Sequence, residues 1–297
     1  GLRLRIGGPR DTETSDETVS LVLRHTPRAA AEAPLLAVEV EAGARCELIE
    51  FHQRGANGAA TVQNLELRIR VGRGATLRHV RVALPASADS VAQRAHVRLD
   101  EGAQYRQALI AAGSRYHLQR TEFDLPSIGA QANIGAALFA AGSALEQQVE
   151  ASHAAERSDS AVESLLLASG TARGVVNAFS RIAPGCDEAS VRQRLSGIPT
   201  GGRPKLVLRP HLEIHHDKVQ AAHGATWGAL PEDALFYARQ RGLDERAAHA
   251  LILEGMANAL LERALGAPDR MTALGLDAVL ARAVANHLRG NAETTDG

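Results

Sequence analysis

Cysteine is scarce in this sequence, which contains only Cys46 and Cys186 among 297 residues. Two thiols are too few for a disulfide framework, and their spacing matches no zinc or iron–sulfur ligand motif. A bound cluster would therefore need ligands from another protein. The sequence leaves open whether these two thiols pair with each other.

An excess of either charge is also missing. The formal net charge is −1, so no strong field attracts the chain to nucleic acid or to an anionic membrane. Lysine occurs only at Lys205 and Lys218, and arginine supplies the other positive charges. No apolar run reaches the roughly 20 residues of a membrane-spanning helix, and the first residues lack the apolar segment of a signal peptide. We expect a soluble, cytoplasmic protein that binds neither nucleic acid nor membrane.

Common catalytic signatures are absent as well. The sequence has no phosphate-binding loop of the Walker A type and no Gly-x-Ser-x-Gly elbow. Gly72 and Gly74 imitate the start of a dinucleotide fingerprint, but the third glycine is missing and the segment joins two strands. We expect no enzymatic activity. A polysaccharide-active β-helix enzyme stays open as an alternative, although aromatic residues make up only 3% of the chain.

Up to about residue 222, short segments such as 65–71 and 79–84 alternate apolar and polar residues. This period is typical of strands with one buried face. Gly-Ala pairs recur at 43–44, 74–75, 102–103 and 129–130, with spacings of 31, 28 and 27 residues. Because glycine tolerates the backbone of a tight corner, the repeat predicts coils that turn at equivalent positions. It favours a β-solenoid, with an ordinary β-sandwich as the alternative.

Helical signals begin after residue 228. Pro231 is placed to start a first helix that Gly242 ends, and Asp244 is placed to cap a longer one that ends at Gly266. The predicted apolar stripe of this longer helix consists of Ala248, Leu251, Ile252, Gly255, Met256, Ala259 and Leu260. A third helix is predicted around residues 274–288. The resulting domains are a β core over 1–227, a small helical domain over 228–289 and a flexible tail over 290–297.

The segment after Pro210 carries the most specific pattern in the chain. It contains Leu-Glu-Ile at 212–214, Ala-His-Gly-Ala-Thr at 222–226, Leu-Phe-Tyr at 235–237 and Arg-Gln-Arg-Gly at 239–242. In order and spacing it resembles the C-terminal signature of SufD proteins, scaffolds of the SufB/SufD family in the SUF iron–sulfur cluster assembly system. The resemblance implies a mainly β fold, with a right-handed parallel β-helix core and a small C-terminal α-helical domain.

The resemblance also implies partners. A SufD-like scaffold pairs with a SufB-like subunit through its last coils, and its helical domain docks the ATPase subunit, SufC. It binds no cofactor tightly alone, and iron or an iron–sulfur cluster is held transiently in the complex. A homodimer in isolation is also expected to be possible, since the SufB–SufD contact is pseudo-symmetric. A SufB-like paralogue and a stand-alone iron-binding adaptor remain alternative functions.

One departure concerns the beginning of the chain. SufD proteins carry a helical region ahead of the β-helix, whereas this sequence opens in strand-like residues. The resemblance therefore covers the β core and the helical domain only. A truncated chain, a chain whose disordered start is not included, and a short natural homologue all stay open.

His223 matches the histidine that SufD proteins present to SufB at the cluster-building interface. We expect it at a glycine-flanked corner between the solenoid and the helices. A neutral imidazole there can ligate iron together with a cysteine thiolate of the partner. The alternative is a structural histidine bonded to the backbone. Many SufD sequences have cysteine two residues earlier, where this chain has Ala221.

A second candidate is the polar face of the preceding segment. If residues 210–217 are extended, Leu212 and Ile214 point to the core. The opposite face then carries His211, Glu213, His215 and Asp217. Imidazole and carboxylate groups suit iron or zinc, which predicts a weak metal site from His211, Glu213 and His215. A solvated polar face is the competing interpretation.

The first helix carries aromatic residues next to arginines. The predicted ATPase-binding surface consists of Phe236, Tyr237, Arg239, Arg241 and Gly242. Exposed aromatic and arginine side chains are typical anchors of protein interfaces. Packing of this helix on the end of the solenoid is the competing explanation for Phe236.

Overall fold

A computed structural model describes residues 1–7, 17–54 and 58–292, with side chains up to Arg289. Its strands are β1 (Leu2–Ile6), β2 (Thr18–His25), β3 (Ala31–Glu32), β4 (Leu35–Val40), β5 (Arg45–His52), β6 (Val62–Val71), β7 (Thr76–Ala83), β8 (Ser90–Leu99), β9 (Gln104–Ala112), β10 (Tyr116–Leu125), β11 (Gln131–Ala141), β12 (Ala144–His153), β13 (Asp159–Gly170), β14 (Arg173–Ile182), β15 (Ser190–Gly202), β16 (Lys205–Ile214) and β17 (Gln220–Trp227). The helices are α1 (Glu232–Gln240), α2 (Glu245–Leu265), α3 (Arg270–Ala273) and α4 (Asp277–Ala292).

The strands form two sheets of parallel neighbours. Sheet A has the order β1-β4-β6-β8-β10-β12-β14-β16, with β3 also beside β6, and sheet B has the order β17-β15-β13-β11-β9-β7-β5-β2. From β4 onward, consecutive strands alternate between the sheets, so each of these coils crosses sheet A once and sheet B once. This arrangement is a β-solenoid of about seven turns. The predicted solenoid is confirmed, and the β-sandwich is excluded because sandwich sheets are antiparallel.

Inward-pointing side chains of both sheets form one apolar core. Along β6, Leu65, Leu67, Ile69 and Val71 are buried, and the residues between them are exposed. The predicted alternation is confirmed for this strand. Each inward position repeats in the next coil, as in the register of Leu67 with Ala95. The core therefore continues along the solenoid axis.

The Gly-Ala repeat marks the corners as predicted. Gly43, Gly74, Gly102 and Gly129 have φ angles between 60° and 69°, and the alanine after each is buried. Only glycine adopts this left-handed backbone without steric cost. In the next two coils Arg157 and Glu188 occupy the same position, with φ of 53° and 61°. The repeat continues there without its glycine, so the sequence did not reveal it.

The helix ends follow the predicted signals. Gly242 has a φ of 86° and Gly266 a φ of 65°, so both end their helices in the left-handed conformation. Asp244 caps α2, because its carboxylate accepts from the Ala247 amide at 2.7 Å. The predicted apolar stripe of α2 is wrong in part, since Leu251 is 56% exposed. The face that is buried includes Leu253, Ala257, Leu261, Ala264 and Leu265.

The helices cover the outer face of sheet B. Residues of α2 and α4 pack on β9, β11 and β13, in an apolar layer that includes Ile110, Phe139 and Leu261. This layer corrects the prediction that segment 79–84 has one buried face. His79 and Arg81 are buried toward the lumen, and Val80 and Val82 are buried under the helices.

No helix in the described part of the chain is long and apolar enough to cross a membrane. Helix α4 continues to Ala292, and residues 293–297 of the predicted tail lie outside the described residues. Both cysteines are free and buried, which answers the question of their pairing. Burial raises the pKa of the Cys46 thiol to about 11, so this sulfur is held as the unreactive thiol.

Candidate functional site at the C-terminal end of the solenoid

The last coil ends in two edge strands. β16 pairs with β14 at the end of sheet A, and β17 pairs with β15 at the end of sheet B. Among the described residues, neither strand has a neighbour on its other side. Nearly all of β17 is exposed, with only Ala225 half-buried. Such edges carry unpaired N–H and C=O groups that can accept a strand from another chain.

His223 lies in the middle of β17 and is exposed. The predicted corner is therefore wrong, because the strand continues through this position to Trp227. The register places His223 beside Gln193 of β15. Gln193 is buried and donates from Nε2 to the Ser180 hydroxyl at 2.9 Å and to the His211 carbonyl at 3.1 Å. Since strand neighbours share a face, His223 lies on the lumen side of the open end.

The side chains of the predicted polar face of residues 211–217 make separate contacts in the structure. The ring of His211 stacks on Phe179, with 5.2 Å between centroids. Glu213 accepts from His215 Nε2 at 2.8 Å and from Arg181 Nη2 at 3.1 Å. These two hydrogen bonds lower the pKa of Glu213 below its ordinary value. The structure thus brings Glu213 and His215 together, and His211 packs on an aromatic ring.

Two other residues of this segment depart from the extended pattern. Ile214 is 42% exposed instead of buried, because β16 ends there and is the last strand of sheet A in the described part of the chain. Asp217 lies beyond the strand, in the turn to β17. A metal site built on His211, Glu213 and His215 stays a prediction.

The same turn contains an ionic cluster that the sequence did not predict. Asp187 accepts from His216 Nε2 at 2.5 Å and from Lys218 Nζ at 3.0 Å. The pKa of Asp187 lies below its ordinary value, mainly because of the hydrogen bond from Lys218 and secondly because of the one from His216. The cluster links the last turn to the preceding one, since Asp187 lies just before β15. It holds the loop that presents β17.

Helix α1 has an exposed aromatic face. Phe236 and Tyr237 are 66% and 59% exposed, and the guanidinium of Arg241 lies 4.6 Å from the centre of the Tyr237 ring. The competing explanation for Phe236 is therefore wrong. Helix α1 packs on α2 and buries Ala238 instead. The two aromatic rings are left on the outside.

Polar pairs inside the lumen are a further feature that the sequence analysis missed. Their members are Arg81 and Gln119 at 3.0 Å, Ser164 and Gln147 at 2.7 Å, and Gln193 and Ser180 at 2.9 Å. All of them are buried. A signal existed, because each residue lies at an inward position of a period-two strand where apolar residues are expected. Recognising it required knowing which face was inward.

Comparison with family models matches residues 23–256 to the SufBD core domain of the SUF system for FeS cluster assembly. The chain belongs to the SufBD family. The iron–sulfur cluster assembly protein SufD of Escherichia coli K12 is 29% identical over 90 residues, which are 30% of this chain and 21% of that protein. An iron–sulfur cluster assembly SufBD family protein of Synechocystis sp. PCC 6803 is 29% identical over 83 residues, which are 28% of this chain and 18% of that protein.

Membership of the SufBD family confirms the resemblance found in the sequence. The match to the core domain extends from β2 into α2 and so includes the open end and α1. It places this chain in a family that belongs to the SUF system for iron–sulfur cluster assembly. The aligned parts span only about a fifth of the two curated relatives. The roles of His223 and of the α1 surface stay predictions.

Proposed function

We propose that this chain is a SufD-like scaffold for iron–sulfur cluster assembly, with no catalysis of its own. The SufBD core match supports a role in cluster assembly, and the similarity to a SufD protein supports the SufD branch of the family. The observation that carries the proposal is the open end, where His223 is exposed in the middle of the edge strand β17. A cytoplasmic location remains part of the proposal.

A SufB-like subunit is the proposed partner at this end. Its last strands would extend sheets A and B by pairing with β16 and β17 through backbone hydrogen bonds. Trp227 supports this idea, since it is 60% exposed at the end of β17 and offers a large apolar anchor. Pairing would bury His223 between the two subunits. In the absence of that partner, a second copy of this chain could occupy the same edges as a homodimer.

Iron or a nascent cluster is the proposed cargo at the buried interface. An imidazole is a good ligand for iron, and a cysteine thiolate of the partner would complete the ligand set. The cargo would be held only in the complex, because His223 alone offers one ligand atom. We therefore expect the isolated chain to carry no iron–sulfur chromophore.

A SufC-like ATPase is the proposed partner of α1. The exposed rings of Phe236 and Tyr237 and the charges of Arg239 and Arg241 form a compact surface on a short helix that Gly242 terminates. Aromatic and arginine residues are common in the centres of interfaces. Any hydrolysis of ATP would come from that partner, since this sequence has no phosphate-binding loop.

Co-purification tests the proposal. The tagged chain is expressed with SufB-like and SufC-like proteins from its own genome, and the complex is analysed by size-exclusion chromatography. We expect one assembly containing all three proteins, which acquires an iron–sulfur chromophore after anaerobic reconstitution. Elution of this chain by itself would contradict the scaffold role. A stoichiometric cluster on the isolated chain would also contradict it.

Adding a SufD-like protein to the co-expression, and assaying the isolated chain for lyase activity, separates the alternative functions. A SufB-like paralogue would select a SufD-like partner instead of a SufB-like one. Lyase activity of the isolated chain on an acidic polysaccharide would replace the scaffold by an enzyme. The SufBD core match argues against the lyase, and the similarity to a SufD protein favours the SufD-like over the SufB-like outcome.

A further inference from the structure

Three possible metal-binding side chains meet at the opposite end of the solenoid. His25 ends β2, and Glu50 and His52 lie near the end of β5, which pairs with β2. One donor atom from each residue lies within 4.8 Å of the other two. His25 Nε2 is 3.3 Å from Glu50 Oε1. The rings of His25 and His52 are stacked, with centroids 4.6 Å apart and planes 2° apart.

His52 is the unusual member of this cluster. As a whole residue it is partly exposed, yet both of its ring nitrogens are buried and have no hydrogen-bond partner among the described residues. A buried polar atom without a partner costs about 1–3 kcal/mol, so native proteins rarely retain one without a reason. Within the described part of the chain the ring makes no hydrogen bond that a metal would have to replace, so one of its nitrogens can offer its lone pair to an ion.

Glu50 is held in one orientation by hydrogen bonds to one of its carboxylate oxygens. Its Oε2 atom accepts from His79 Nε2 at 3.0 Å and from Arg81 Nε at 3.1 Å. The other oxygen, Oε1, is left facing His25. Hydrogen bonds that fix one carboxylate oxygen are typical of the outer shell of metal sites.

A second layer of hydrogen bonds supports this arrangement. The Tyr105 hydroxyl lies 2.8 Å from His79 Nδ1, and Arg81 Nη2 donates to Gln119 at 3.0 Å. All four of these side chains are buried. Because the orienting residues are themselves held in place, Glu50 has little freedom to turn away from His25.

The cluster is reachable from solvent. A cavity of about 360 Å³ reaches the cluster at His25, and β1, β2, β4 and β6 contribute to its lining. The side chain of His25 is 23% exposed. A hydrated ion can therefore approach His25 before the buried donors close on it. In contrast to a wholly internal ion pair, this site has an entry route.

We propose that His25, Glu50 and His52 bind one divalent transition-metal ion, of the Fe(II) or Zn(II) class. Two imidazoles and one carboxylate are a donor set that suits both metals. Metal–ligand distances of 2.0–2.2 Å require the donors to lie about 3.4 Å apart in a tetrahedral site. His25 and Glu50 already meet that separation. His52 must tilt out of its stack with His25, and it loses no hydrogen bond when it does so.

This site differs from the one that the sequence suggested. The candidates His211, Glu213 and His215 lie at the C-terminal end of the solenoid, and the sequence predicted no metal held tightly by the isolated chain. The new site does not depend on the proposed function. It requires no partner, and a scaffold with or without this metal can still pair at β16 and β17.

Metal titration of the isolated full chain tests the site. The chelator-treated protein is titrated with Co(II), whose visible absorption reports the ligand geometry, and with Zn(II) in a calorimeter. We expect one equivalent of each to bind. Because a ligand that binds only the folded state stabilises it, Zn(II) should also raise the melting temperature.

Variants identify the ligands. We expect His25→Phe, which keeps a ring for the stack, and His52→Gln to weaken binding at least tenfold. The double variant His215→Ala/His216→Ala removes two histidines at the other end, including one of the weak site predicted there, and should still bind one equivalent with wild-type affinity. Circular dichroism verifies that each variant folds. If His52→Gln does not fold, His25→Phe alone tests the metal site, because His25 lies on an edge strand. No stoichiometric binding by the wild type, unchanged binding by His25→Phe, or loss of binding only in the His215→Ala/His216→Ala protein would overturn the proposal.

Discussion

Arg270 of α3 forms a two-point ion pair with Glu47 of β5, although 223 positions separate the two residues in the chain. Arg270 Nε lies 2.8 Å from Glu47 Oε1, and Nη2 contacts the other carboxylate oxygen. The side chain of Glu47 is only 1% exposed. It points away from the lumen and beneath the helices, so the pair joins the last helices to the outer face of sheet B.

Replacing Arg270 tests this connection. Arg270→Ala leaves a buried carboxylate without its partner, which typically costs about 3–5 kcal/mol. We expect a loss near the lower end, since Arg270 is 32% exposed. The measurement is urea denaturation. The control is Arg263→Ala, because the Arg263 side chain is 55% exposed in its pair with Glu163 and such pairs contribute about 1 kcal/mol or less. Equal losses in the two variants would contradict this role of the pair.

Gly135 determines how closely α2 approaches β11. A Cβ atom at this position would lie 2.6 Å from the Ala264 Cβ and 3.1 Å from the Leu260 carbonyl oxygen. Gly135→Ala should therefore displace the helix and destabilise the protein by about 1–3 kcal/mol. Gly255 of α2 has open space around it. Gly255→Ala should instead stabilise the protein by roughly 0.5–1 kcal/mol, because alanine is the better helix former. Thermal and urea unfolding of both variants check the opposite signs.

His153 makes the stability of the fold depend on pH. Its two ring nitrogens lie 2.8 Å from the hydroxyls of Ser158 and Ser160, and burial lowers its pKa to about 4. The unfolded histidine titrates near 6.5. Between these values the unfolded chain binds a proton that the folded chain does not, so stability falls as the pH is lowered from 6.5 to 4. The loss attributable to this residue should reach about 3 kcal/mol.

Urea denaturation at several pH values between 7.5 and 4.5 measures this effect. His153→Gln, which can still bond to the serines, should be less stable than the wild type at pH 7.5. The difference should shrink as the pH falls, because the variant has no group to protonate here. Parallel stability curves of the two proteins would show that His153 does not titrate in this way.

The fold was largely predictable because its signals are local. Gly74 and Ala75 mark a corner through the backbone and side-chain size of two neighbouring residues, and Asp244 and Gly266 mark helix ends in the same way. The burial of Val80 could not be predicted from such local signals. Alternation shows which residues share a face, but it does not show that α2 and α4 cover the outside of sheet B. That contact joins residues far apart in the chain.

The candidate sites show the same contrast between local signals and contacts of residues far apart in the chain. His223 was found through a pattern of neighbouring residues, although its position within a strand was not predicted. His25, Glu50 and His52 come from two strands separated by the segment that contains β3 and β4. Their proximity depends on the register of β2 with β5. No spacing in the sequence indicates that register before the coils are aligned.

The α1 surface leads to a binding prediction. Arg239→Glu together with Arg241→Glu reverses the exposed charge beside Phe236 and Tyr237. If α1 docks the SufC-like ATPase, we expect affinity to fall at least tenfold, with little change in stability because both arginines are exposed. Arg246→Glu, in the first turn of α2, is a matched charge reversal outside the predicted surface. Co-elution of the double variant with the ATPase at wild-type yield would argue against α1 as the docking helix.

His223 provides the most direct test of the scaffold function. His223→Ala should abolish cluster maturation in a strain that depends on this pathway, because the interface would lose a ligand for iron. Folding should be unaffected, since the residue is exposed on an edge strand and surface substitutions usually change stability by less than about 0.5 kcal/mol. Complementation, thermal unfolding and co-purification are measured on the same variant.

The combination of results separates a ligand from a structural residue. If His223 were structural, its replacement would remove a hydrogen bond worth about 1 kcal/mol, so the alanine variant would melt earlier and lose its partner. A ligand leaves the melting temperature and the complex intact and removes only the cluster. His215→Ala and His216→Ala are controls with milder expected effects, because their rings bond to Glu213 and Asp187 on the outside of the last turn. Growth of the His223→Ala strain at the wild-type rate would remove His223 from the proposed assembly site, since no other residue of β17 offers an imidazole.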